Sequence, residues 1–186
     1  MAIKKILFIE GEPLSPNGDL RQGISKLLAQ LLFKKLPKII LGGGKTFTID
    51  KFKNNKLQAD MSLLLIDLDK PENEIENDLK ENNLVNSRED VFYMIQEMES
   101  WFLSQPEILD FFYGKDLNHK LISEKIIKKN AQDFSNPDDE LKKLTRNTKR
   151  GEYHKIKHAI ELLKLLDAKK LQDEFSQFKK LILKLK

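Results

Sequence analysis

The chain has 186 residues, of which 40% are hydrophobic and 33% charged. It is long enough for one domain with a substantial core, and its mean hydropathy of −0.49 leaves no run apolar enough to span a bilayer. The absence of cysteine excludes disulfide scaffolds, thiolate zinc sites, iron–sulfur clusters and cysteine nucleophiles, and three histidines leave little for a histidine-rich metal site. The opening run MAIKKILFIEGE meets an acid at Glu10 and offers no small-residue cleavage site. It is therefore not read as a secretory signal, and the expected compartment is the cytoplasm. The net charge of +4 conceals a segregation: residues 1–59 carry +7, residues 60–140 carry −12 and residues 141–186 carry +9. One reading is a carboxylate-rich site between surfaces that attract phosphate, and the other is three separately solvated faces.

In chain order, IKKILFI at 3–9 reads as a buried strand. A turn over Gly11–Gly18, with Pro13 and Pro16, leads into a helix whose Leu20, Ile24, Leu27, Leu28, Leu31 and Leu32 form one apolar face before Pro37 stops it. Lys38–Leu41 is a second strand, followed by the turn Gly42–Gly44 and a short segment Thr48–Asn54. Met61–Ile66 has the unbroken apolar run of a central strand covered on both faces. Pro71 opens a polar helical stretch, and Val91–Ile95 is a fourth strand. Beyond it the pattern is helical: Glu97–Phe112 as one helix or two around Pro106, Leu121–Lys129, Asp138–Leu144 after the start signal Asn136–Pro137, Glu152–Leu166 and Lys169–Leu185. The expectation is one α/β domain over 1–186. Its core over 1–112 holds about four mostly parallel strands flanked by helices, and a helical part over 113–186 packs on it.

Two acidic signals fall at the carboxyl ends of predicted strands, where open α/β sheets place their ligands. Glu10 follows the first strand, with Gly11 permitting a tight turn and Glu12 beyond it; Asp67-Leu68-Asp69 follows the central strand. In extended chain, residues i and i+2 point to the same side about 7 Å apart, a spacing that can bracket one hard cation or a close pair of them. Oxygen donors with few histidines and no thiolate suit Mg²⁺ or Mn²⁺. The competing reading makes each acid a turn or capping residue. Glu97 and Glu99 have the same two readings, completing a metal shell or sitting in a helix's first turn where the macrodipole favours acids. Trp101, the only tryptophan, reads as core.

The string Gly42-Gly43-Gly44-Lys45-Thr46 lacks the leading glycine of a nucleotide-binding P-loop, because position 39 is Ile39. It reads as a turn, with Lys45 as a weaker phosphate contact. Lys149, Arg150, Tyr153, His154, Lys155, Lys157 and His158 form the densest basic cluster, a phosphate-contacting surface or a solvated helix face.

An N-terminal strand–Glu–Gly followed by strand–Asp-x-Asp resembles the toprim fold shared by topoisomerases, bacterial primases and the overcoming-lysogenization-defect nucleases. More narrowly, the chain resembles a bacterial toprim-like family of similar length. The resemblance rests on IEGE at 9–12, LGGGKTF at 41–47, LLLIDLDKP at 63–71, QEMESWFLSQP at 96–106 and KRGEYHKIKHAIELLKLLD at 149–167, and covers nearly the whole chain. It implies a metal-dependent nuclease acting on DNA or RNA, with Glu10 as acid/base and metal ligand and Asp67 and Asp69 as metal ligands. The Glu97–Trp101 region is a hallmark of the narrower family, and Glu99 is carried as a possible further ligand. Lys155 is the leading phosphate or leaving-group contact, with Lys149, Arg150 and His158 around it. The family context further implies work beside a separate ATPase, often in phage defence, since this chain has no ATPase motif. The Pro-rich stretch PLSPNGD after IEGE departs from the pattern, where a second acid and a direct helix start are typical; Glu12 is the candidate replacement. The alternative is a regulatory or nucleic-acid-binding subunit that keeps the fold without turnover.

Overall fold

Four short apolar runs become the strands β1 (Lys5–Ile9), β2 (Lys38–Leu41), β3 (Met61–Leu68) and β4 (Val91–Ile95), all parallel in the order β2-β1-β3-β4. The computed structural model describes residues 3–12, 20–33, 35–126 and 130–186. The predicted turn over Gly11–Gly18 therefore lies largely outside the described residues, as does the end of the predicted 121–129 helix.

Alternation along the strands feeds two cores. Leu7, Ile9, Leu63, Leu65, Phe92 and Met94 face one side; Ile6, Phe8, Leu64, Ile66 and Tyr93 face the other. The first core takes the connection α1 (Leu20–Leu32) and the helices after β4: α4 (Glu99–Leu103), α5 (Pro106–Tyr113), α6 (Pro137–Thr145), α7 (Lys155–Leu165), α8 (Ala168–Glu174) and α9 (Ser176–Leu185). The second takes α2 (Lys45–Asn55) and α3 (Ile75–Glu81) through Ile49, Phe52 and Leu79. From β1 the chain goes out to β2 and then returns past β1 to β3. The direction of winding thus reverses between β1 and β3, and the helices of the two connections lie on opposite faces, as a constant crossover hand requires.

Local signals explain most boundaries. Pro106 occupies the first turn of α5. Asn136 caps α6 by accepting from the Asp139 N–H (3.1 Å), and Asp167 caps α8 by accepting from Lys169 (2.8 Å) and Lys170 (3.1 Å). Gly23 lets α1 meet α7 closely, since a Cβ there would stand 2.9 Å from that of Leu163. Trp101 is buried against Phe175 and Phe178, as core. Among the described residues no helix is long and apolar enough to cross a membrane.

Four expectations are corrected. β3 runs two residues beyond Ile66, so Asp67 lies within the strand rather than past its end. The segment at Thr48–Asn54 belongs to a full helix starting at Lys45. The single helix expected over Lys169–Leu185 breaks at Phe175, whose extended backbone (φ −105°, ψ 109°) seats its ring against Trp101. Residues 121–126 form turns rather than helix. There the Ser123 N–H donates to Asp110 (3.0 Å) and Lys125 pairs with Asp116 (2.5 Å), and these side chains compete with helical bonding.

The turn after β2 separates its glycines by role. A Cβ on Gly42 would overlap the buried Thr48 at its Cα and side chain, whereas one on Gly44 would meet open space. Gly42→Ala is therefore expected to cost about 3 kcal/mol and lower Tm by roughly 6–12 °C. Gly44→Ala should shift stability by less than about 0.5 kcal/mol, and thermal unfolding of the two variants checks the difference.

Candidate functional site at the crevice between β1 and β3

Parallel register sets Ile9 beside Leu65, and the Glu10 N–H donates to the Leu65 carbonyl (3.1 Å). Glu10 thus leaves the end of β1 next to Asp67, whose backbone N–H donates to Glu10 Oε2 (3.2 Å). Gly11 and Gly43 then exchange backbone hydrogen bonds at 2.8 and 3.0 Å, tying the turn after β1 to the turn after β2. Gly11 has φ 148°, a backbone conformation that favours glycine, and a Cβ there would press on the end of the Leu20 side chain.

On the other side, β4 ends in an uncommon turn: Gln96 and Glu97 both take left-handed backbone, φ 55° and 67°. Non-glycine residues pay about 1–2 kcal/mol each for this conformation. The Ser100 hydroxyl braces the turn through the carbonyls of Ile95 and Glu97, both at 2.8 Å. The outcome is a backbone N–H, that of Met98, which donates to Asp67 Oδ1 (3.0 Å).

One residue later α4 starts at Glu99, whose side chain is 0% exposed. Tyr153 donates its hydroxyl to Glu99 Oε1 (2.8 Å), while the Tyr153 N–H is held by Thr145 Oγ1 (2.7 Å). Lys155, the first residue of α7, places its ammonium 3.4 Å from Glu99 and 3.8 Å from Asp67 Oδ2. Together these elements border a cleft of about 660 Å³. Its lining includes the polar Glu10, Glu12, Asp67 and Lys155 and the apolar Leu20, Met98, Ile156 and Ile160.

Burial makes Asp67, Glu10 and Glu97 reluctant to ionise. Burial pushes the Asp67 carboxyl well above its ordinary range; Lys155 opposes that shift, and Glu10 and Glu99 add to it. Glu10 is raised by burial and eased by the Asp67 N–H and Lys45. Glu97 is raised by burial and by Glu99. For Lys155, burial works against the charge, but Glu99, Asp67 and Glu97 outweigh it and raise its affinity for a proton. Tyr153 is pushed well up by burial and by the Glu99 charge, so it stays a donor.

Glu10, Asp67, Glu99 and Lys155 are thus brought together from four elements. Asp69 lies two residues on, exposed and outside the cleft lining, though its charge reaches Glu10 and Glu97. Lys45 pairs at 2.7 Å with buried Asp78, which also accepts from the Tyr93 hydroxyl (2.9 Å), while the Lys45 charge still reaches Glu10. The basic cluster divides. Lys149 is exposed, Arg150 lies 4.3 Å over the Phe112 ring, and His158 Nδ1 faces the Tyr113 hydroxyl (2.9 Å) and the His154 N–H (3.2 Å). Among the described residues, no three His, Asp or Glu side chains are gathered closely enough to hold a metal alone. Sequence reasoning passed over Tyr153 as a partner of Glu99, because nothing local marks a bond across 54 residues. It also passed over Asp138, Lys142 and Glu152 as cleft residues.

Fold and site define a class: a doubly wound α/β protein with an acidic crevice at the carboxyl ends of its two central strands. Residues 20–186 match the family described as Domain of unknown function (DUF4276), and the chain belongs to that family. The matched span contains Asp67, Glu99, Tyr153 and Lys155; Glu10 precedes it. No curated protein and no solved structure matches the chain.

The raised Asp67 carboxyl yields a pH signature in the absence of divalent cations. A group whose folded-state pKa is raised stabilises fully below its unfolded value, about 3.9 for Asp, and that stability is lost as pH rises through the folded value. Asp67→Asn keeps an acceptor for Met98 without the charge. It should match wild type below about pH 4 and exceed it in Tm by roughly 2–6 °C at pH 7.5, as scanning calorimetry in EDTA would show.

Proposed function

We propose that this protein is a cytoplasmic metal-dependent nuclease with a toprim-like centre, hydrolysing phosphodiesters of DNA or RNA at the Glu10–Asp67 pair. The single observation that carries the reading is the coupling of these two carboxylates. Glu10 and Asp67 stand on adjacent central strands at the reversal of winding, Glu10 Oε2 accepts the Asp67 backbone N–H, and both residues line the cleft beside Lys155. The resemblance to toprim nucleases adds the substrate class, and with it a role in phage defence beside a separate ATPase.

The donor set fits Mg²⁺ or Mn²⁺. Each carboxylate gives one oxygen to a backbone N–H, Glu10 Oε2 to Asp67 and Asp67 Oδ1 to Met98, and keeps a second for a hard cation. One or two carboxylates suffice, because Mg²⁺ retains waters and takes the rest of its shell from substrate phosphate. Glu10 and Asp67 would hold the cation, which supplies stabilisation of the charge that develops on the phosphoryl oxygens. Glu10 takes a proton from the attacking water. Lys155 donates to a non-bridging oxygen or to the leaving oxygen. Glu99 and Tyr153 anchor Lys155 rather than ligate, and Asp69 stands outside the shell.

One observation favours a second reading, a non-catalytic nucleic-acid-binding subunit: Lys155 already supplies Asp67 with a counter-charge. Nicking of supercoiled plasmid and cleavage of total RNA, each with Mg²⁺ or Mn²⁺, separate the two. The nuclease reading expects wild type to cut one pool and Asp67→Ala to lose at least about 100-fold in rate. Equal cutting by both chains would remove the acidic pair from the chemistry. No cutting, with salt-sensitive nucleic-acid affinity that survives Asp67→Ala, would favour the binding subunit.

A further inference from the structure

We infer that Lys155 is a built-in competitor for the divalent cation: its ammonium neutralises Asp67 in the metal-free protein and withdraws to Glu99 when a cation loads. The inference rests on the metal reading of the Glu10–Asp67 pair and adds to it a determinant of cation affinity.

Three observations converge. First, the Lys155 distances of 3.4 Å to Glu99 and 3.8 Å to Asp67 exceed the 2.7–2.9 Å usual for a tight charge-assisted bond. The ammonium therefore lies between two acceptors, with a long hydrogen bond to Glu99 and an ion-pair contact to Asp67, on a side chain that is 51% exposed. Second, the two acceptors differ in kind. Glu99 is wholly buried and pinned by the Tyr153 hydroxyl, so it is a fixed anchor for a cationic side chain. Asp67 is held by the Met98 N–H at one oxygen and presents the other to the cleft. Third, the local charge is unbalanced. The carboxylates of Glu10, Asp67, Glu97 and Glu99 act on one another around Lys155, while Lys45, the other cation that Glu10 senses, is committed to Asp78. A site with this excess of negative charge attracts a second positive charge. The cation must then share Asp67 with an ammonium or displace it.

Binding of Mn²⁺ to the full chain, followed by the loss of the free-ion electron paramagnetic resonance signal, tests the inference without any turnover. Lys155→Met should bind Mn²⁺ roughly tenfold tighter than wild type, within the range that outer-sphere partners of metal sites command. Lys155→Arg should stay near wild type. Lys157→Met, which removes an equal charge from an exposed position on the same helix, should change affinity by less than about twofold. Glu99→Gln, which takes away the anchor and leaves the ammonium to Asp67, should weaken binding. The inference is overturned if Lys155→Met binds no tighter than wild type, or if Lys157→Met tightens binding as much. If neither wild type nor Lys155→Met binds Mn²⁺, the metal reading falls and the inference with it, a result distinct from equal binding by the two.

Discussion

A carboxylate buried at the end of a central strand is expensive unless donors are aimed at it, and Asp67 shows how much local structure that requirement organises. Its own N–H goes to Glu10 and its Oδ1 takes the Met98 N–H. To deliver the Met98 N–H to Asp67, the chain leaves β4 through two consecutive left-handed residues, Gln96 and Glu97. The strain of this turn is offset by Ser100, by the α4 helix that starts immediately after it, and by the burial of Trp101 and Phe102. The same turn commits Glu99 to the interior, where only a donor can satisfy it; Tyr153, from the segment before α7, and Lys155, the first residue of α7, meet that need.

The crevice exists because the sheet is wound in two directions. Between β1 and β3 the connecting helices depart to opposite faces, so among the described residues a cleft opens at the carboxyl ends of these strands. The Gly11–Gly43 bridge closes one flank, and α7 closes the other through its contact with α1, made close by Gly23. The C-terminal helices are thus part of the site as well as of the core: they bring Lys155 to acids contributed by the first half of the chain. The segregation of charge along the sequence, acidic in the middle and basic at the end, is compatible with this meeting.

The strands were legible because a buried parallel strand must be an apolar run, and β2 ends where its sequence pattern ends. Glu10 and Asp67 were legible for the related reason that polar residues following such runs fall at the carboxyl edge of the sheet. Other features are decided by partners far away. Phe175 fits the helical periodicity on both its sides, and only its packing against Trp101 breaks the helix there. Glu99 reads equally well as a first-turn acid until Tyr153 is seen beside it. Asp78 looks like one more solvated acid in a charged helix, yet it is buried and holds Lys45 and Tyr93. Arg150 and His158 extend the basic cluster around Lys155 in sequence, but their side chains face Phe112 and Tyr113. Spacing along the chain gives adjacency on a helix; it does not give the direction in which a second helix will be packed.

The central claim is that Glu10 and Asp67 together hold one divalent cation in the cleft between β1 and β3. The most direct measurement is an anomalous-difference map from crystals soaked in Mn²⁺. The account predicts one peak about 2.1 Å from an oxygen of each carboxylate, with the Lys155 ammonium turned toward Glu99. A map with no peak there, or with Mn²⁺ bound only elsewhere while Lys155 still faces Asp67, would contradict it.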